Sequence, residues 1–149
     1  MTSGATMYYY AHPTVNPTTA GVTGRTDYTY YKFSAAASYK VWYRITATAT
    51  TSAVPWTQFG TFVIMPANNT PTWTDPSNNS TIAIGTGRLT ATAPFSNITY
   101  STTASSSILT ISGDEYTALA ISTNVPLIAT TTTTQNWTGG TATIYVNID

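Results

Sequence analysis

Ionic side chains are nearly missing from this chain: 7% of its 149 residues are charged, five basic against five acidic, for a net charge of zero. A freely diffusing domain ordinarily keeps about a quarter of its residues charged and stays in solution by them. That surface does not exist here, so the exterior is either clothed in hydroxyls and glycans or buried against other molecules, copies of the chain among them. Zero net charge also removes the electrostatic footprint that a nucleic-acid binder needs, and nucleic acid is not an expected partner. Cysteine is absent, which excludes disulfides, thiolate metal sites and cysteine nucleophiles. The densest apolar run is Phe62-Val63-Ile64-Met65, far short of the roughly 18 residues a membrane-spanning helix requires.

The catalytic inventory is equally thin. His12 is the single histidine, and no G-x-S-x-G elbow accompanies the many serines, so a Ser triad could recruit only that one base. Asp114 and Glu115 are adjacent; they cap a turn after Gly113 or supply two oxygens to calcium, and turn capping is the simpler reading. No glycine-rich phosphate loop opens a helix. The expectation is a non-enzyme without catalytic residues, metal or cofactor.

What the chain has in abundance is threonine, roughly a quarter of all residues, with serine raising the hydroxyl share to about a third. A hydrophobic fraction of 42% is too high for a disordered chain. Apolar residues alternate with period two in Tyr28 to Phe33, Lys40 to Thr48, Phe59 to Met65, Leu89 to Ala93, Ile98 to Thr102, Leu109 to Ile111, Leu119 to Ile121 and Ala142 to Ile148. This is the pattern of half-buried strands, and threonine suits it because its branched β-carbon fits a pleat while its hydroxyl tolerates water. Ser34 to Ser38 could form one helical turn at most. The fold class is all-β, an antiparallel sandwich of one or two small domains.

Three prolines and four asparagines between Pro66 and Ser80 interrupt the pattern and read as a linker. The expected division is 1–66 as an amino-terminal arm plus sandwich, 67–80 as linker, and 81–149 as a second sandwich. In the carboxyl-terminal half, Leu89-Thr-Ala-Thr92, Ile98-Thr-Tyr-Ser101, Ile108-Leu-Thr-Ile-Ser-Gly113 and Gly140-Thr-Ala-Thr-Ile-Tyr-Val146 together resemble the bacterial Ig-like group 2 domain, from Ile82 onward. More faintly, Tyr39 to Ala47 followed by Gly60-Thr-Phe-Val-Ile64 looks like the last two strands of a fibronectin type III domain. Both resemblances imply Ig-like β-sandwiches used for spacing, display or adhesion, as in virion surface proteins and secreted adhesins.

The run Ala129-Thr-Thr-Thr-Thr-Thr-Gln-Asn-Trp-Thr-Gly-Gly140 precedes the last strand and reads as one arm of a long hairpin, an edge strand open to pairing with another chain. Basic and aromatic residues cluster between Arg25 and Arg44, suggesting cation–π contacts at an interface. The aromatic arm Met7-Tyr-Tyr-Tyr10 is either the first strand of its own sheet or lies on a neighbouring subunit. The candidate interface residues are Tyr8, Tyr9, Tyr10, Tyr28, Tyr30, Trp42, Arg44, Thr131, Thr133 and Trp137. Candidate glycosylation acceptors are Asn68, Asn78, Asn79, Asn97 and Asn136, each in an N-x-[ST] triplet.

The amino terminus has neither a basic nor a continuous apolar leader region, which leads us to expect assembly inside the cell. The expected role is a structural subunit of a virion surface, such as a capsid decoration protein. Its partners would be its own copies, a major capsid or other shell protein, and glycans. An extracellular or cell-surface filament, pilus or adhesin subunit and a carbohydrate-binding module are the alternatives.

Overall fold

The computed structural model describes residues 6–14, Pro17, Phe33, 35–50, 52–95 and 97–149. Among them there is no helix, and so none long and apolar enough to cross a membrane. The chain is all-β and divides into two compact units, Met1–Met65 and Pro66–Asp149.

The first unit is an antiparallel sheet of β1 (Met7–His12), β2 (Ala37–Ile45) and β3 (Val54–Ile64), with β2 in the centre. Tyr8 lies opposite Arg44, Tyr9 opposite Tyr43 and Tyr10 opposite Trp42, so the tyrosine run splits between the two faces of the pleat. The Thr6 carbonyl accepts from Thr46 N at 3.1 Å and extends this pairing. The β2–β3 register slips at Val41/Trp42, where β3 carries Phe59 as an extra residue between the partners of those two positions. Such a bulge turns the strand and re-aims one side chain. The residues buried in this unit, among those described, are Ala11, Pro17 and Tyr39. Phe33 and Phe62 close on the Tyr39 ring with centroids 4.4 and 5.5 Å away.

The second unit is built more tightly. Its strands are β4 (Ala67–Asn69), β5 (Thr72–Asp75), β6 (Thr81–Ile82), β7 (Gly85–Arg88), β8 (Thr90–Thr92), β9 (Ile98–Ser101), β10 (Leu109–Ser112), β11 (Glu115–Ala118), β12 (Ser122–Thr131), β13 (Trp137–Gly139) and β14 (Thr141–Ile148). A four-stranded sheet runs β6-β14-β12-β9, a three-stranded one β10-β11-β7, and two short pairs, β5-β8 and β13-β4, complete it. Val125 and Leu127 alternate inward along β12, and Ile144, Val146 and Ile148 along β14. They form one core with Ile82, Leu89, Leu109 and Ala118, so the two larger sheets share their apolar faces in a sandwich-like arrangement. Trp73 and Tyr100 pack on this core at 5.5 Å from each other. Each ring also satisfies its polar tip: Trp73 Nε1 donates to Ala142 O at 3.0 Å, and Tyr100 Oη accepts from Ala91 N at 2.9 Å.

Several elements differ from their sequence-based expectation. The stretch 67–80, read as a linker, carries β4 and β5, buries Asn69, Pro71 and Pro76, and sends Trp73 to the core. Leu119 to Ile121 is a bend between β11 and β12 with Leu119 and Ile121 exposed; its alternation is too short to fix a period. The expected strand Tyr28 to Phe33 falls outside the described residues except for Phe33, which is not in a strand. Ser34 to Ser38 leads into β2 without a helical turn at its described positions.

Gly87 faces Tyr116 across β7 and β11, and a β-carbon at Gly87 would collide with the tyrosine ring. The glycine therefore makes the bed on which the aromatic ring lies. Burial, and secondarily the Asp75 carboxylate, raise the Tyr116 hydroxyl above its ordinary range.

Leu127 is fully buried in the core of the second unit, and Leu127→Ala is expected to cost about 3 kcal/mol, measured by urea unfolding followed through tryptophan fluorescence. The Tyr116 shift gives a second outcome. The unfolded chain loses this proton near pH 10 while the folded chain still holds it. The contribution is complete below about pH 10 and is lost as pH rises towards the folded value. Tyr116→Phe is expected to make stability less steeply pH-dependent in that alkaline window, as read from denaturation midpoints.

Candidate functional site

Strand parity in the first unit sorts its side chains into two surfaces. Tyr8, Tyr10 and His12 share a face with Lys40, Trp42 and Arg44, their partners across β1–β2. On that face the Arg44 guanidinium lies 4.6 Å from the Tyr8 ring centre and 5.1 Å from that of Trp56. Tyr10 stacks on His12 at 6.1 Å and meets Trp56 edge-on at 6.3 Å. A cation between two aromatic faces is held by their quadrupoles as well as by packing, so the arginine acts as the keystone of an aromatic ladder. The Trp42 indole N–H is enclosed without an acceptor, a cost that an apolar ring of similar shape would avoid.

The opposite face is apolar. Met7, Tyr9, Val41, Tyr43, Ile45 and Phe59 line an open groove of about 580 Å³. Phe59, placed there by the bulge, is 79% exposed. Further along β3, Val63, opposite Ser38 and so on the face of Lys40, is 64% exposed, and the strand leads to Met65 at 78%. The edge of β3 away from β2 pairs with no strand among the described residues, and no charged residue occurs from Val54 to Met65.

The candidate interface residues thus separate. Tyr8, Tyr10, Trp42 and Arg44 come together on one face, and Tyr9 lies on the other. Tyr28 and Tyr30 are outside the described residues. Thr131, Thr133 and Trp137 belong to the second unit, where the threonine run ends one arm of the expected antiparallel hairpin with β14 but is not the edge strand expected. Thr130 and Thr131 end β12, which is flanked by β14 on one side and β9 on the other. Thr131 is 4% exposed; its hydroxyl donates to Asn69 O at 2.6 Å and accepts from Gly140 N at 3.0 Å. Thr132 Oγ1 accepts from Asn97 Nδ2, and Thr133 Oγ1 from Gly139 N, each at 3.0 Å. Trp137 stacks on Phe95 with centroids 5.9 Å apart. Asn69, wholly buried, receives Phe95 N on Oδ1 at 2.8 Å, while its Nδ2 has no partner.

All five candidate glycosylation acceptors are exposed on the second unit. Asn68 Oδ1 accepts from the backbone N and hydroxyl of Thr70 at 3.0 and 2.7 Å. Asn79 sits in the left-handed region with φ of 63°. Asn78 Oδ1 accepts from Tyr145 N at 2.9 Å, and Asn136 O from Ala67 N at 2.9 Å. Arg88 and Asp114 pair at 3.3 Å on the surface, and no three His, Cys, Asp or Glu side chains converge among the described residues.

The β3 edge and its exposed phenylalanine went unrecognised in the sequence because the threonine run drew the edge assignment. The usable signal was the absence of any charge along Val54 to Met65. No family model matches the chain, and neither the curated proteins nor the solved structures contain a match.

Arg44→Ala is expected to destabilise the first unit by about 1–2 kcal/mol through loss of both ring contacts. Trp42→Phe, which removes an unpartnered donor and keeps most of the ring, is expected to stay within about 0.5 kcal/mol of the parent. Chemical denaturation of the two variants side by side checks both.

Proposed function

We propose that the chain is a non-enzymatic structural subunit that associates through strand-edge and aromatic contacts, with its own copies and with a shell protein, on the outer face of a virus particle. The observation that carries this reading is β3. Monomeric proteins guard exposed edge strands with charge, proline or bulges. Here Pro55 and the bulge at Phe59 guard the first half, and Gly60 to Met65 is left without any of the three. A second copy is the occupant that fits, because an uncharged strand pairs antiparallel with itself about a two-fold axis without opposing like charges.

The half-covered apolar face supports the same reading. A unit of this size buries little on its own, and the groove beside Phe59 leaves several large side chains in water. Cover from a neighbour would supply the missing burial and meet the rings of Tyr9 and Tyr43 there, while Tyr8, Tyr10 and Trp42 offer a second contact on the opposite face. The Ig-like resemblance of the second unit is part of the proposal, as a spacing or display module. A filament or adhesin subunit would use the same contacts in an extracellular setting. Carbohydrate binding is less well supported, because the Arg44 guanidinium already occupies the faces of Tyr8 and Trp56 on which a sugar would stack.

Sedimentation of the full chain tests the association. The parent is expected to self-associate at micromolar concentration, and Val63→Lys to weaken that association by about tenfold or more, equivalent to roughly 1.4 kcal/mol, without unfolding the unit. A parent chain that stays a monodisperse monomer, and that electron microscopy of native material finds on no particle or fibre, would overturn the reading.

A further inference from the structure

The second unit begins and ends in parallel. β4, its first strand, runs beside β13, with Ala67 opposite Trp137 and Asn69 opposite Gly139. β6 runs beside β14, with Thr81 opposite Asn147 and Ile82 opposite Ile148. Parallel pairing within a single small unit needs long crossovers, and here it joins the leading segment to the trailing one.

The seam between 78–84 and 145–149 is continuous. Asn79 N donates to Tyr145 O at 2.7 Å, Asn147 N to Ser80 O at 2.9 Å, Asp149 N to Ile82 O at 3.2 Å and Ile84 N to Asp149 O at 3.0 Å. The Asn78 carboxamide oxygen takes the place of a further backbone acceptor, receiving Tyr145 N at 2.9 Å. On the inner side Ile82, Val146 and Ile148 are buried in the core, so water reaches these bonds poorly from that direction.

We infer that the second unit is a tension-bearing module, with the β6–β14 seam as the clamp that resists extension of the chain between Pro66 and Asp149. Force drawn along the chain pulls β6 from its leading end and β14 from its trailing end. Because the strands are parallel, those directions are opposite and lie along the strands. The seam bonds lie across the pull and share the load, and must fail together. Antiparallel β12 and β14 give the reverse case: Ser122 lies opposite Ile148, so a pull applied at that end opens their ladder one bond at a time. Resistance to force is set by the barrier to unfolding, not by equilibrium stability, so an arrangement that loads many bonds at once raises it without any added contact. This inference does not rest on self-association, since the seam is complete within one chain.

The cysteine-free sequence makes the test direct, because two introduced thiols are unique handles. In single-molecule pulling on the full chain, Ser77→Cys with Asp149→Cys loads the seam in shear, whereas Thr123→Cys with Asp149→Cys peels β14 from β12. At equal loading rate the first pair is expected to require at least about twice the rupture force of the second. Asn78→Ala is expected to lower the force in the first geometry and leave the second unchanged. Equal forces in the two geometries, or an equal loss in both on Asn78→Ala, would overturn the clamp.

Discussion

The Thr131 hydroxyl ties β4, the end of β12 and the start of β14 together. Buried at the end of β12, it donates to Asn69 O and accepts from Gly140 N, and Thr131 N itself donates to Gly140 O. A single side chain thereby fixes β4 against the end of the central strand and sets the turn that launches β14. Gly139 must lack a side chain for the same reason, since a β-carbon there would strike the Thr131 carbonyl and the following peptide. Buried polar groups carry a heavy cost when unpaired, and this one is fully used. The position of β4, and through Gly140 the register of β14 against β12, depend on it.

Side-chain hydroxyls and carboxamides do in this protein what ions do in most. Asn69 caps Phe95 N, Asn78 completes the β14 ladder and Thr133 secures Gly139 N. Each supplies a neutral hydrogen bond, with little desolvation penalty compared with a buried charge. The first unit uses a different device, a guanidinium between aromatic rings, and leaves its other face half open. The two units therefore differ in what each buries by itself: a nine-residue cluster in one, and little beyond Ala11, Pro17 and Tyr39 among the described residues of the other.

Much of this architecture was legible in the sequence, since period-two alternation survives wherever one face of a strand is buried. Lys40 to Thr48, Ile98 to Thr102 and Ala142 to Ile148 all reappear as strands within a few residues of their expected limits. The threonine run did not yield to the same reasoning. Propensity makes each threonine a good strand residue, but only the tertiary partners Asn69, Asn97 and Gly139 explain why the strand stops at Thr131 and the following hydroxyls turn to local bonds. The stretch from Pro66 to Ser80 misled for a related reason: prolines and asparagines mark loops on average, yet Pro71, Pro76 and Asn69 are buried. On the candidate surface, the pairing of Tyr8 with Arg44 and Tyr10 with Trp42 required the register, which no single-sequence pattern supplies.

The Arg88–Asp114 pair, with both side chains largely in solvent, has a bearing on where such a chain can work. It contributes little even in dilute buffer, and counter-ions that screen it remove little more. Apart from the exposed carboxylates of Asp75, Glu115 and Asp149, the remaining framework of the second unit is neutral amides, hydroxyls and hydrocarbon. Brine and rainwater are nearly the same medium to such a fold, and strongly excluded salts such as sulfate would tighten it.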